Sequence, residues 1–300
     1  PIHNKVLLDG MTIYNPFHSI GFFSVFDTDL IKKADVYTGG FGAEYGGRIS
    51  SIMDIQTRDG NKKKISSKLS ANTFASKLLI EGPMFKSKEN GISNSFIFSG
   101  KTSYLNKTSK SLYAYLEEDD IDLPYKFSDF YGKLSFFSPN GSKTNLYGFG
   151  FNDNVHYTGL TEIGWVTYGF GTNILLVPAS AKMLIEGKMS YSEYAIFQQD
   201  FDEPRNTSSI GGYNIGLNFS YFISQKHKLK YGAEIVGHRT LLEFRNAIGT
   251  LIEDPDNYDV FGAYLDYKFN DTRLILNPGL RIQSYTSLGE TSFEPRLGLK

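Results

Sequence analysis

The sequence predicts an all-β transmembrane barrel sheet, antiparallel and about twelve strands wide, preceded by a small α+β unit. Three observations carry the prediction: side chains alternate with period two through most of the chain, links between strands are alternately long and short, and the aromatic-rich composition contains no spanning-helix stretch.

Among 300 residues, Phe 24, Tyr 20 and Gly 30 favour aromatic-rich β-structure. A formal net charge of -1 gives no field to gather nucleic acid, which is therefore not expected as a partner. Cysteine is absent, which excludes disulfides, thiolate metal sites and cysteine nucleophiles and leaves the redox compartment open. With a mean hydropathy of -0.28 and no run of roughly 18 apolar residues, any membrane crossing is made by strands. The chain opens at Pro1 without a signal-like stretch and stops at Lys300 inside a strand-like run, so both ends are expected to be cut from a longer protein.

Residues 1–61 form the first expected unit and 62–300 the second. In the first, Lys5 to Leu8 and Thr12 to Tyr14 flank Asp9-Gly10, a turn signal between short strands. Asp29 to Lys33 is expected as a helical turn leading into Asp35 to Tyr37. Five glycines, Gly39, Gly40, Gly42, Gly46 and Gly47, then interrupt the chain before a strand over Ile49 to Thr57.

From about Lys64 the pattern becomes strictly alternating. Tyr213, Ile215, Leu217, Phe219 and Tyr221 share one face, and Asn214, Gly216, Asn218 and Ser220 the other. Phe261, Ala263, Leu265, Tyr267 and Phe269 alternate with Gly262, Tyr264, Asp266 and Lys268, and Leu280 and Ile282 with Arg281 and Gln283. Runs of about 9 to 13 residues exceed the common strand of about 5 to 6 and suit a tilted membrane strand. Long links are expected at Leu105 to Lys126, Asn154 to Val166, Ile196 to Ile210, Arg245 to Tyr258 and Thr286 to Phe293. Tight ones fall at Ser138 to Ser142, Pro178 to Ser180, Ser224 to His227 and Asn270 to Thr272. Outer-membrane barrels have this asymmetry of short periplasmic turns and longer outer loops. Trp165, Tyr104, Tyr157, Tyr258 and Tyr285 fall near the long links and Phe136, Phe137, Phe222 and Phe269 near the short ones, which predicts two aromatic girdles; the alternative is the general enrichment of aromatics in strands.

The segments Val6-Leu-Leu-Asp-Gly10, Ile13-Tyr-Asn-Pro-Phe-His18, Gly21-Phe-Phe-Ser24, Asp35-Val-Tyr-Thr-Gly-Gly40 and Tyr45-Gly-Gly-Arg-Ile-Ser-Ser51 together resemble the C-terminal part of the plug of TonB-dependent receptors, in a form closest to Bacteroidetes-type bacteria. Glu81-Gly-Pro83, Ser99 to Leu105 and Phe293 to Gly298 resemble barrel strands of the same family. The resemblance implies a plug within a 22-stranded barrel, of which about twelve strands are present here. It implies a bacterial outer-membrane location and TonB, with its inner-membrane energy-coupling complex, as a partner; the TonB box would precede Pro1. Outer-membrane lipid, an unknown small solute and a surface lipoprotein complete the implied partners. One departure is a very short first outer link near Asn72 to Phe74, followed by a long stretch from Phe85 to Ser93 where a periplasmic turn is expected.

Little else in the sequence carries chemistry. The loop Gly39, Gly40, Tyr45, Gly46, Gly47 and Arg48 lacks the spacing of a phosphate cradle, and tight turns of a plug backbone explain its glycines. His3, His18, His156, His227 and His238 show no metal-ligand spacing, so no metal or cofactor is expected; solvation or hydrogen bonding accounts for most of them. Ser50-Ser51 forms no nucleophile elbow and no triad is visible, so the chain is not expected to be an enzyme. Arg48 and Asp54 either pair with barrel charges such as Glu186, Glu234 or Arg281 or are solvated. Glu117, Glu118, Asp119, Asp120 and Asp122 form either a solvated outer loop or an irregular site for Ca²⁺ or a cationic solute. Functional readings are therefore plug-gated active uptake of an iron chelate, cobalamin, glycan or peptide, then a passive porin or adhesion barrel, then a soluble carbohydrate-binding β-protein.

Overall fold

The computed structural model describes residues 4–47, 50–86, 91–112, 123–157, 159–179, 182–201, 203–245 and 248–300. The N-terminal unit begins with a hairpin of β1 (Asn4–Leu8) and β2 (Met11–Thr12), paired Leu8 to Met11. Asp9 and Gly10 have φ of 51° and 92°, the two positive values that a tight two-residue hairpin needs. β3 (Phe17–His18) and β4 (Phe23–Ser24) form a second hairpin around the 3-10 turn Ser19–Gly21. β5 (Ile31–Tyr37) and β6 (Ser51–Thr57) complete a mixed sheet in the order β2-β1-β6-β5, with β1 and β6 parallel. The helical turn expected over Asp29 to Lys33 is instead a turn ending at Leu30, with β5 starting at once. Pairing with β6, irregular between Ile31 and Lys33, decides that segment's conformation.

The second unit is a single antiparallel sheet of twelve strands in sequence order. β7 (Ser66–Ala71), β8 (Ala75–Gly82) and β9 (Ser93–Ser103) lead to a short helix, α1 (Leu105–Leu112). β10 (Tyr125–Phe137), β11 (Lys143–Tyr157), β12 (Thr161–Leu176) and β13 (Met183–Asp200) follow. β14 (Asn206–Phe222), β15 (His227–Arg245), β16 (Leu251–Asn270), β17 (Ile275–Tyr285) and β18 (Glu290–Leu299) complete it. Its faces are inverted relative to a soluble sheet: Leu217 is 46% exposed and Phe170 60%, whereas Asn214 is 6% and Arg281 1% exposed. An outward apolar face over an inward polar one is the pattern of a membrane barrel wall. Among the described residues no helix is long and apolar enough to cross a membrane.

Most of the expected long links are strand rather than loop. β11 and β12 stay paired to Tyr157 and Thr161, β13 and β14 to Gln198 and Asn206, and β15 and β16 to Arg245 and Leu251. Alternation disappears there because both faces meet solvent: all seven residues from Leu251 to Asn257 are exposed. The backbone ladder continues without it, so pattern ends before strand does. The short first link, 72–74, and the longer one, 83–92, have the expected unequal lengths. The aromatic expectation needs correction at Trp165, which lies opposite Asp153 on the inward face and is buried in the core. Ring burial against the N-terminal unit, rather than an interfacial position, accounts for it.

Strands from β7 to β13, and β15, β17 and β18, hydrogen-bond to the N-terminal unit, so the sheet curls around it. The main core is the seam between them: Leu8, Met11, Ile13, Leu30 and Ile55 pack against Leu79, Ile97, Tyr147, Phe149, Phe151 and Val155. Apolar burial of this kind, at roughly 25 cal/mol per Å², seats the unit on the wall.

Candidate functional site

The candidate site is the interface between the N-terminal unit and the inward face of the sheet. Its first anchor is the β1–β2 turn. Asp9 points its carboxylate back to Thr57, accepting from the backbone N–H at 3.0 Å and the hydroxyl at 2.6 Å, and accepts from Tyr131 Oη of β10 at 2.7 Å. The carbonyl of Asp9 accepts from Tyr147 Oη and Asn173 Nδ2, each at 2.7 Å, on β11 and β12. Buried Lys133 donates to the carbonyl and hydroxyl of Thr57 at 3.0 and 2.9 Å. A turn whose polar groups are satisfied by the wall can be buried at little cost.

The Gly-rich loop is the second anchor. Arg281 of β17 donates through Nη1 to the carbonyls of Ala43 (3.2 Å) and Glu44 (3.4 Å), and Arg296 of β18 to those of Gly42 (2.7 Å) and Tyr45 (2.6 Å). Arg281 is held by Glu234 at 2.5 Å and by Gln283 at 2.6 Å. Gly46 is required sterically: a Cβ there would lie 2.0 Å from Gln283 Oε1 and 2.2 Å from Arg281 Nε. Gly40 and Gly47 adopt φ of 63° and 69°, the left-handed region.

A series of inward lysines forms the third. On β8, Lys77 meets Asp27 at 2.8 Å and Asp29 at 2.5 Å, and on β11, Lys143 meets Asp59 at 2.7 Å. Lys230 pairs with Glu44, and Lys188 lies 4.0 Å from Glu234. Lys68 and Lys77 hold Asp29 down to about 2. Burial raises the Asp59 pKa, but Lys143 outweighs it, leaving that pKa below the ordinary carboxylate value.

The fourth is His18, wholly buried at the end of β3. Nδ1 meets Asp153 of β11, Nε2 lies 2.7 Å from Asp129 of β10, and the ring stacks on Phe127 with centroids 4.3 Å apart. The N–H of Ser19 donates to the other Asp153 oxygen at 3.0 Å.

Of the residues singled out in the sequence, Arg281 and Glu234 meet each other on the wall, and Arg281 reaches the loop through backbone carbonyls rather than through a charge. Asp54 accepts from Tyr45 Oη at 3.1 Å within the N-terminal unit. Burial raises the Asp54 carboxyl against the opposing pull of Tyr45 and Lys188, and burial likewise raises the Tyr45 phenol. Glu186 lines a cavity of about 440 Å³ between unit and wall together with Lys188, Asn218 and Lys230. Gly39 and Gly40 open the loop, with φ of 147° and 63°. Arg48, Glu117, Glu118, Asp119, Asp120 and Asp122 lie outside the described residues. Sequence reasoning left His18 among histidines explained by solvation or hydrogen bonding and did not single out Asp129, Asp153 or the lysines. A signal was present for Lys77, Lys188 and Lys230, which occupy the polar parity of their strands, whereas Asp129, Asp153 and Lys143 share theirs with aromatic residues such as Phe127, Phe149 and Phe151.

A small unit lodged on the polar face of a sheet whose other face is apolar is the architecture of a plugged outer-membrane barrel, and the chain has the fold of TonB-dependent outer-membrane receptors. The FrpB iron transporter from Neisseria meningitidis matches with a TM-score of 0.68 at 12% identity, over 99% of this chain and 53% of that one. A ferric enterobactin receptor (PfeA) mutant from Pseudomonas aeruginosa gives 0.68 at 14%, over 100% and 52%. The outer-membrane transporter YddB from Escherichia coli gives 0.64 at 13%, over 99% and 50%. The chain thus spans about half the length of these structures. No protein-family model matches the chain, and no curated protein matches it in sequence.

Proposed function

We propose that this chain is the C-terminal part of the plug, residues 1–61, and the first half of the barrel, residues 62–300, of an energy-coupled transporter in a bacterial outer membrane. One observation carries the reading: the unit lodged inside the wall is held at its rim largely by separable ion pairs and hydrogen bonds. A plug that must be displaced and reseated needs contacts that water can replace, whereas a fixed accessory domain does not. The outward apolar face is the surface for outer-membrane lipid. The solute is a scarce small molecule, and iron chelates head the candidates because similar structures are described as an iron transporter, a ferric enterobactin receptor and a ferric citrate transporter. Cobalamin, glycans and peptides follow. TonB and its inner-membrane complex supply the pull, and a surface lipoprotein is a further partner of the outer face. No catalytic role is assigned.

The test is uptake by cells carrying the intact protein, offered a panel of ferric chelates, cobalamin, oligosaccharides and peptides. Accumulation of one member that stops on collapse of the proton-motive force or deletion of TonB supports the reading. Uptake that persists under both treatments assigns the protein to passive porins instead.

A further inference from the structure

We propose that His18 is a proton-carrying latch: as an imidazolium held between Asp129 and Asp153, it ties the β3–β4 hairpin to the wall, and loss of its proton loosens that hairpin. The latch joins the N-terminal unit to the wall whether or not uptake is energy-coupled.

The geometry makes the two arms unequal. The arm to Asp153 is a hydrogen bond, backed by the Ser19 N–H on the second carboxylate oxygen at 3.0 Å. The arm to Asp129 is short, at 2.7 Å, but without hydrogen-bond alignment, so its attraction is mainly charge on charge. Deprotonation would leave the first arm in place and remove the second. Asp129 would then face Lys101 alone, 2.7 Å away on β9. The groups packed around the ring are few: Asp129 with Phe127 on β10, Asp153 with Phe151 on β11, Lys101 behind Asp129, and the Tyr194 phenol on β13, which feels the Asp153 charge. The ring is fully buried, so water cannot substitute for a lost partner without movement of the hairpin.

Burial alone would push the His18 imidazolium to give up its proton; the two carboxylates outweigh burial and raise it above its ordinary value of 6.5. A raised folded value means that the latch's contribution is complete below about pH 6.5 and is lost as pH climbs through the raised value. The residue is therefore a positioning group whose strength is set by protons.

The test uses the intact protein in detergent; these 300 residues contain no cysteine. Nitroxides at Ser24→Cys on β4 and His156→Cys on the outward side of β11 report the distance from hairpin to wall. One narrow distribution is expected at about pH 5.5, widening about twofold by about pH 9 as the ring loses its proton. His18→Gln should abolish that pH dependence. A width constant over this range in the protein retaining His18, or the same dependence in His18→Gln, overturns the proposal. Should His18→Gln fail to assemble, nitrogen NMR of labelled His18 decides: both ring nitrogens protonated at about pH 6.5 is expected, and a neutral ring there overturns it.

Discussion

Two strands of opposite outcome lie within one chain. In β6, Ile52 and Ile55 lie on opposite faces and both are buried; in β14, Leu217 is exposed on one face and Asn214 buried on the other. Period two specifies only that a strand has two different faces. Which face is covered by protein depends on what lies beyond it: β6 is packed on both sides, whereas the apolar face of β14 has no protein over it among the described residues. The comparison teaches that the same residue type can be worth most when hidden in one sheet and when displayed in the other.

The sharpest way to break the comparison is to damage each sheet on its apolar face. Ile55→Ala leaves a cavity in the seam with Leu8 and Met11, and should cost about 2 to 5 kcal/mol. Trypsin sensitivity of the N-terminal unit should rise while the wall still migrates as an assembled barrel; unchanged protection would place Ile55 outside the core. On the wall, Leu217→Arg should cost about 2 to 4 kcal/mol at the bilayer midplane and reduce assembled protein in heat-modifiability gels. Asn218→Arg enters the cavity beside Glu186 and should assemble normally. Equal yields of the two variants would show that the Leu217 face does not meet lipid.

Smaller effects sharpen the junction between the sheets. Gly46→Ala drives a methyl into Gln283 and Arg281, and overpacking of this kind costs about 1 to 3 kcal/mol. Extraction of the unit by urea should need less denaturant, and Arg281→Ala should partly rescue it by making room. The smallest effect is expected at Asp29→Asn, under about 1 kcal/mol, because the ion pairs with Lys68 and Lys77 are partly solvated. Since Asp29 is lowered from 3.8 to about 2, its contribution is present above about pH 4 and disappears as pH falls through about 2. Urea titrations at pH 7 and pH 2 should therefore differ less in Asp29→Asn than in the parent; an equal difference would remove Asp29 from the acid response.

Much of this was legible before any coordinates. Twelve wall strands, the Asp9-Gly10 hairpin and the alternation of Tyr213 to Tyr221 follow from local pattern and turn chemistry. The far ends of the β11–β12, β13–β14 and β15–β16 ribbons were not, because exposure on both faces, as at Leu251 to Asn257, erases the very alternation used to find strands. Nor was the inward position of Trp165, which depends on an N-terminal unit more than a hundred residues away. The His18 cluster joins segments separated by 135 positions, and no spacing rule connects them. Parity alone would have nominated Lys77, Lys188 and Lys230 but not their partners, and neither Asp129 nor Asp153, which share their faces with aromatic residues.

The ribbon of β15 and β16 leaves one margin open: β17 joins β16 only from Val260 onward, so among the described residues no strand pairs with Leu251 to Asn257 on that side. Such a margin invites another chain to add to it, and neighbouring copies would be the first candidates. The residues placed there are Glu253, Asp254, Pro255 and Asp256, three like charges that repel an identical ribbon and a proline that cannot donate to it. The protruding ribbon thereby carries its own protection against polymerisation, and replacing those four residues by threonine or valine would convert it into an adhesive edge.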